Sequence, residues 1–147
     1  MSKTLKVKDK MTRSVAYVSP STSVTETAQI MQKHNIGSVP VVDNDNLVGI
    51  ITDRDIVVRN IAHGNDPKFT PVSDVMTTNV ITVAPDADME EVAAKMATNQ
   101  IRRIPVVENS KLVGILAIGD IATDRRFNTE ASEALTEISM PSRPEMM

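Results

Sequence analysis

Apolar residues along this chain fall in short blocks that alternate between helical and extended spacing. Val24, Ala28 and Met31 stand at i, i+4 and i+7, which gathers them on one face of a helix. Ser23 precedes them as an N-cap candidate, and the pattern fades at His34-Asn35. Val39-Pro40-Val41-Val42 then reads as a strand, Asp43-Asn44-Asp45-Asn46 as its turn, and Leu47-Val48-Gly49-Ile50-Ile51 as the returning strand. A second helix is expected from about Asp53 to Ile61. Ahead of the first helix, Val15 to Val18 forms a short extended piece closed by Pro20.

The same succession then returns. Met11-Thr12-Arg13-Ser14-Val15 lies over Met76-Thr77-Thr78-Asn79-Val80, and the register holds without a gap through Ile56 over Ile121. Pro20 falls on Pro85, Glu26 on Glu91, Ala28 on Ala93, Met31 on Met96 and Ile36 on Ile101. Pro40-Val41-Val42 falls on Pro105-Val106-Val107, and Leu47-Val48-Gly49-Ile50 on Leu112-Val113-Gly114-Ile115. Val7 and Asp9 already lie over Val72 and Asp74. The chain is a duplication, and a repeat of this kind decides the architecture.

In the second copy Asp88 is the N-cap candidate, Met89, Ala93 and Met96 form the apolar face, and the helix fades at Asn99-Gln100. Glu108-Asn109-Ser110-Lys111 is the turn. Each copy is therefore β-α-β-β-α, an α/β (α+β) unit with two helices on one face of a small sheet. The copies span 1–64 and 65–126, with a linker from Gly64 to Pro71. Roughly 60 residues without a disulfide make a marginal lone domain. The two copies are therefore expected to pack sheet to sheet, with pseudo-two-fold symmetry, over a common core. Residues 127–147 have no counterpart in the first copy. They read as a C-terminal tail in which 129–135 can form one short helix, either frayed or used as a partner contact.

Composition narrows the function. Aromatic residues make up 2% of the 147, so the core is aliphatic with nine Met, and the stacking platforms of single-stranded nucleic-acid binders are lacking. Net charge is −3, which gives no positive field for a polyanion. The chain has no cysteine, so disulfides, thiolate nucleophiles and cysteine metal sites are excluded. Apolar runs fall far short of the ~20 residues of a membrane helix, and the start lacks a signal-peptide apolar run. The expectation is a cytoplasmic protein that binds neither membrane nor nucleic acid.

Catalytic constellations are thin. The two histidines, His34 and His63, sit at predicted helix ends among polar neighbours, as caps or surface groups. There is no phosphate loop, no Gly-x-Gly-x-x-Gly turn and no Gly-x-Ser-x-Gly elbow. No catalytic or metal site is assigned, and no obligatory cofactor. A phosphoryl-transfer enzyme would need a metal-binding cluster, for which Asp53, Asp55 and Asp120 are the candidates.

What remains is a binding constellation. Gly49-Ile50-Ile51-Thr52-Asp53-Arg54-Asp55 leads a strand straight into a helix. Free amides at the helix entrance and its positive dipole end are expected to favour an anion there. A carboxylate at that point also suits a diol, since it can accept from two hydroxyls. The alternative is that Thr52 and Asp55 merely cap the helix. Arg102-Arg103 precedes the strand Ile104-Pro105-Val106-Val107, where the first copy has Gly37-Ser38. Guanidinium forks match phosphate oxygens.

Three blocks in order, twice, carry a family resemblance: Met-Thr-x-x-Val at 11–15 and 76–80, Ile-x-x-x-Pro-Val-Val at 36–42 and 101–107, and Leu-Val-Gly-Ile at 47–50 and 112–115, followed in copy one by Thr52-x-x-Asp55. The pattern resembles a stand-alone tandem CBS-domain protein, or Bateman module, over about 7–125. The resemblance implies a regulatory, ligand-sensing module that binds an adenosine compound such as AMP, ADP or ATP in the cleft between the repeats. It implies one site of Thr52, Arg54, Asp55, Val80, Ile81, Thr82, Arg102, Arg103, Ile104 and Pro105. A second, weaker site would join Tyr17, Gly37, Ser38, Val39 and Pro40 to Asp120. There Ala117 replaces Thr52, Gly119 replaces Arg54, and no basic residue stands at 37–38. It also implies a homodimer and an unidentified protein target. The competing expectation is a structural or protein-interaction CBS pair whose cleft is vestigial.

Overall fold

The computed structural model describes residues 5–122 and 128–139. Among these residues stand five α-helical segments, labelled α1–α5 below, one π-helical stretch, two 3-10 turns and four strands, β1–β4, and the strand pairs whose register is resolved are antiparallel. Two compact units form, and each gathers pieces of both sequence copies. One holds Ser14–Ile81 together with Asn109–Leu112. The other holds the chain up to Arg13, Thr82–Glu108 and the chain from Val113 onward.

In the first of these units Ser23 opens helix α1 (Val24–His34) as expected: its hydroxyl accepts from the Glu26 amide. Such a cap is worth about 1 kcal/mol. Asn35 ends the helix in the left-handed region at φ 54°, a conformation asparagine tolerates. The buried side of α1 is Val24, Thr27 and Met31. Ala28, placed on that face by its spacing, is exposed. Thr27 fits the core because its hydroxyl donates to the Ser23 carbonyl at 2.9 Å, which leaves its methyl as an apolar surface.

Strands β1 (Ser38–Asp43) and β2 (Asn46–Thr52) form an antiparallel hairpin with a bulge at Val41/Val42. The two-residue turn has positive φ at Asn44 (51°) and Asp45 (69°), the hand that matches strand twist. Lys111, the first residue of β4 (Lys111–Ala117), pairs with Asn46. After β2 the chain enters α2 (Asp53–Asp55), which widens at once into a π-helical stretch, Ile56–Ile61.

The core of this unit is Val18, Val24, Met31, Val39, Val41, Ile51, Val72 and Val75. The last two come from beyond the linker, out of the second sequence copy. The following Thr77 exchanges both backbone hydrogen bonds with Ile50 at 2.8–2.9 Å. A Cβ on Gly49 would stand 2.6 Å from the Met76 sulfur and 3.0 Å from the Thr77 carbonyl, which is why glycine occupies that position.

The second unit repeats this plan with the N-terminal segment in the same role. Thr12 exchanges hydrogen bonds with Ile115, and Met11 lies over Gly114 as Met76 lies over Gly49. Helix α3 (Met89–Asn99) buries Met89, Val92, Ala93 and Met96 and ends at Gln100 with φ 53°. Asp88 does not cap it. That carboxylate is drawn instead to the Lys6 ammonium at 2.7 Å. Strand β3 (Arg103–Glu108) neighbours β4, which runs into α4 (Ile118–Ala122).

The stretch read from sequence as a tail contains α5 (Asn128–Ile138), longer than expected, which packs on α3 and α4. Its Ala131 and Ala134 are buried, and its Glu137 carbonyl accepts from the Gln100 side chain at 2.8 Å. Met140 to Pro144, whose two prolines mark an end to the helix in the sequence, lie outside the described residues.

Candidate functional site

Thr52 closes β2 in extended geometry, and the next residues turn directly into α2. The sequence Thr-x-x-Asp makes this turn self-supporting. The Thr52 hydroxyl accepts from the Asp55 amide at 3.0 Å, and Asp55 Oδ2 accepts from the Thr52 amide at 3.0 Å. This reciprocal capping box satisfies two amides that the helix leaves without partners. The remaining entrance amides are also taken: Asp53 donates to the Gly37 carbonyl at 2.9 Å, and Arg54 to Asp53 Oδ1 at 2.8 Å. The expectation of free amides waiting for an anion is therefore corrected. The first three helical N–H groups are spent within the protein, and anion recognition falls to side chains. A Cβ at Gly37 would stand 3.0 Å from Asp53 Oδ2, the tip of an exposed side chain that can give way.

The capping box does not exhaust Asp55. Its side chain is mostly buried, and Oδ1 faces the Arg59 guanidinium at 3.7 Å, too long for a hydrogen bond. That oxygen keeps acceptor capacity. Arg54 is exposed, with no ion pair or hydrogen bond to its side chain among the described residues. Val80 and Ile81, half-buried, belong to the same compact unit as Thr52, Arg54 and Asp55.

Thr82, Arg102, Arg103, Ile104 and Pro105 belong to the other unit. Ile104 and Pro105 are buried on β3, where the Pro105 carbonyl accepts from Val83, the residue after Thr82. The Arg102 carbonyl accepts from the first amide of α4 at 2.7 Å, while its side chain is exposed. Arg103 is half-buried, and its Nε is enclosed with no hydrogen-bond partner among the described residues. An enclosed guanidinium N–H without an acceptor is costly, and a rearrangement that opened Arg103 to an anion would relieve it.

The weaker set divides likewise. Tyr17, Gly37, Ser38, Val39 and Pro40 lie in the first unit, with Tyr17 more than half exposed and Val39 and Pro40 buried on β1. Asp120 lies in the second, where Oδ2 accepts from the Ala117 amide at 2.8 Å. Ala117 has no hydroxyl to return the bond, so this turn carries half a capping box.

Two residues escape a motif reading. Arg59 also donates to the Met76 carbonyl at 3.2 Å and reaches that of Val75 at 3.5 Å. Lys95 donates to the Thr82 carbonyl at 2.9 Å, which puts a partly buried ammonium beside a proposed site residue. Both stand where the copies disagree: Ile30 answers to Lys95, and Asp124 to Arg59. Among the described residues no group of three His, Cys, Asp or Glu is placed to hold a metal, and no helix is long and apolar enough to cross a membrane.

Comparison with known proteins gives a consistent picture. The family model of the CBS domain matches twice, at residues 7–60 and 72–124. The CBS domain-containing protein YhcV of Bacillus subtilis is 47% identical over 133 residues, covering 90% of this chain and 94% of that protein. The crystal structure of Hypoxic Response Protein I, with two coordinated zinc ions, has a TM-score of 0.75 and 35% identity, covering 81% of this chain and 98% of that one. The CBS domain pair of protein MJ0100, solved with 5′-methylthioadenosine and S-adenosyl-L-methionine, has a TM-score of 0.70 and 36% identity, covering 81% and 94%.

Proposed function

The chain belongs to the CBS-domain family, with two such domains in tandem as a regulatory module, and from that premise we propose that it senses an adenine nucleotide. The observation that carries the proposal is Arg103, whose Nε is enclosed without an acceptor among the described residues. Arg102 and Arg103 would take the phosphate. Asp55, with Oδ2 anchored by the Thr52 amide and Oδ1 open to donors, would take the ribose hydroxyls. Val80, Ile81, Thr82, Ile104 and Pro105 would flank the base, and Arg54 would add charge. Further support comes from the relative solved with two adenosine compounds. Two or three charge-assisted bonds of about 1.5–3 kcal/mol each, less binding costs, correspond to micromolar affinity. Tyr17, Gly37, Ser38, Val39, Pro40 and Asp120 form the weaker counterpart, which lacks a basic pair and a full cap.

On this reading the module works without catalysis, in the cytoplasm. It acts as a homodimer, which the exposed Val57, Val58 and Ile61 favour, and signals to a protein target. Ligand can drive such a signal only by binding one arrangement better than another. Thermal-shift titration with AMP, ADP, ATP and S-adenosylmethionine tests it. A ligand at 100 times its dissociation constant should add about 2.7 kcal/mol of stability. Asp55→Ala and Arg103→Ala should each abolish the shift. Magnesium-ATP incubated with the protein should give no product, and light scattering should return a dimer at micromolar concentration. A second reading, an interaction module that binds no nucleotide, is favoured by the closed capping box, since Thr52 and Asp55 already serve the fold. Absence of any shift would select it.

A further inference from the structure

Arg59 stands one helical turn after Asp55, on the π-helical stretch Ile56–Ile61. Its guanidinium meets two different parts of one compact unit. Nε lies 3.7 Å from Asp55 Oδ1, the oxygen that the capping box does not use. Nη1 donates to the Met76 carbonyl at 3.2 Å and approaches that of Val75 at 3.5 Å. Those carbonyls belong to the segment that reaches Thr77, whose backbone pairs with Ile50 two residues before Thr52. The same segment continues to Val80 and Ile81. In the second copy the position that answers to Arg59, 124, is an aspartate, of opposite charge.

We propose that Arg59 is a positioning residue that holds Asp55 Oδ1 toward incoming hydroxyls and locks it to the Val75–Met76 backbone. Asp55 and the segment carrying Val80 and Ile81 are then set as one piece. The contact to Asp55 is loose enough to leave the oxygen free as an acceptor, yet its charge biases the carboxylate's orientation. Arginine is required because one planar fork reaches a carboxylate and a carbonyl together. A lysine gathers its three donors on one nitrogen and lacks the spread of the fork. The consequence for ligand binding rests on the adenine-nucleotide reading, whereas the positioning itself does not.

The test has two arms on the full chain. In the first, amide hydrogen exchange is followed by NMR without nucleotide in wild type, Arg59→Met and Arg59→Lys. Arg59→Met is expected to speed exchange about tenfold at the Thr52 and Thr77 amides, with Ile115 and Ala117 unchanged, the signature of a local opening. No acceleration at Thr52 and Thr77, or equal acceleration at all four amides, would overturn the proposal. In the second, ATP is titrated calorimetrically. Arg59→Met is expected to weaken binding about tenfold, the scale of one lost charge-assisted interaction, and Arg59→Lys to recover part of it. Wild-type affinity in Arg59→Met would overturn the role in binding. If the wild type takes up no ATP, ADP or AMP, the nucleotide reading falls and the exchange arm alone decides the positioning role.

Discussion

The turns that follow β2 and β4 share a backbone and differ in side chains. Both send their first helical amide to the carbonyl of the residue just before the hairpin's first strand, Gly37 before β1 and Arg102 before β3. Both anchor an aspartate on the amide three residues earlier. The turn after β2 returns that bond through the Thr52 hydroxyl, which Ala117 cannot do, and carries the Arg59 cation one turn later. The helices ahead of these strands diverge similarly. Ala93 on α3 is buried in the unit where α5 packs on that helix, while Ala28, its counterpart on α1, is exposed. The duplication preserves the hydrogen-bonded frame, and its two copies are specialised by single side chains and by one added helix.

The largest separation between the copies should come from placing a charge on that pair of alanines. Ala93→Glu should cost about 3 kcal/mol or more, the penalty of an uncompensated buried charge. Ala28→Glu should stay within about 0.5 kcal/mol, and urea unfolding of both variants measures the gap. Comparable losses would mean that α1 is covered in solution too. The glycines should behave alike. Gly49→Ala drives a Cβ against Met76-Thr77 and Gly114→Ala against the corresponding Met11-Thr12, 2.6 and 2.7 Å from a sulfur. Each should lose about 1–3 kcal/mol. A marked inequality in their unfolding midpoints would show that the duplicated contact is not what requires glycine.

The capping boxes offer a smaller, reciprocal test. Thr52→Ala should lose about 1 kcal/mol, and Ala117→Thr should gain a good part of that by completing the second box. If thermal unfolding shows no gain, Asp120 is not presented as Asp55 is. The smallest effect is expected at Lys6 and Asp88, an exposed pair. The Asp88 hydrogen bond and charge raise the Lys6 ammonium above its ordinary value of 10.5. A raised cation contributes below its unfolded value and loses that contribution as pH climbs through the folded one. The melting temperatures of wild type and Asp88→Asn should therefore differ slightly at neutral pH and converge above about 10.5, or at high salt.

Much of the frame was legible because its rules are local. The Asn-Asp and Asn-Ser turns, the Ser23 cap, the Asn35 and Gln100 stops and the two hairpins follow from neighbouring residues. The duplication then supported each element with a second copy. Where a distant partner decides, the pattern failed. Thr27, which took the place of Ala28 in the core with its hydroxyl on the Ser23 carbonyl, is the one local exception. Asp88 left its helix for Lys6, and α5 became a packed helix by covering small residues on α3. At the site, the residue types were visible but the competition for their atoms was not. The entrance amides were already spent, and the contacts of Arg59 and Lys95 join segments far apart in sequence. Their positions could still have been flagged as places where two otherwise parallel copies disagree.

The central claim is that nucleotide recognition belongs to the Asp55 turn and not to its Asp120 counterpart. Isothermal titration of ATP, ADP and AMP into wild type, Asp55→Ala and Asp120→Ala tests it most directly. The account predicts micromolar binding of one nucleotide per chain in wild type and in Asp120→Ala, and none in Asp55→Ala. Unchanged binding in Asp55→Ala, or loss in Asp120→Ala alone, would contradict it.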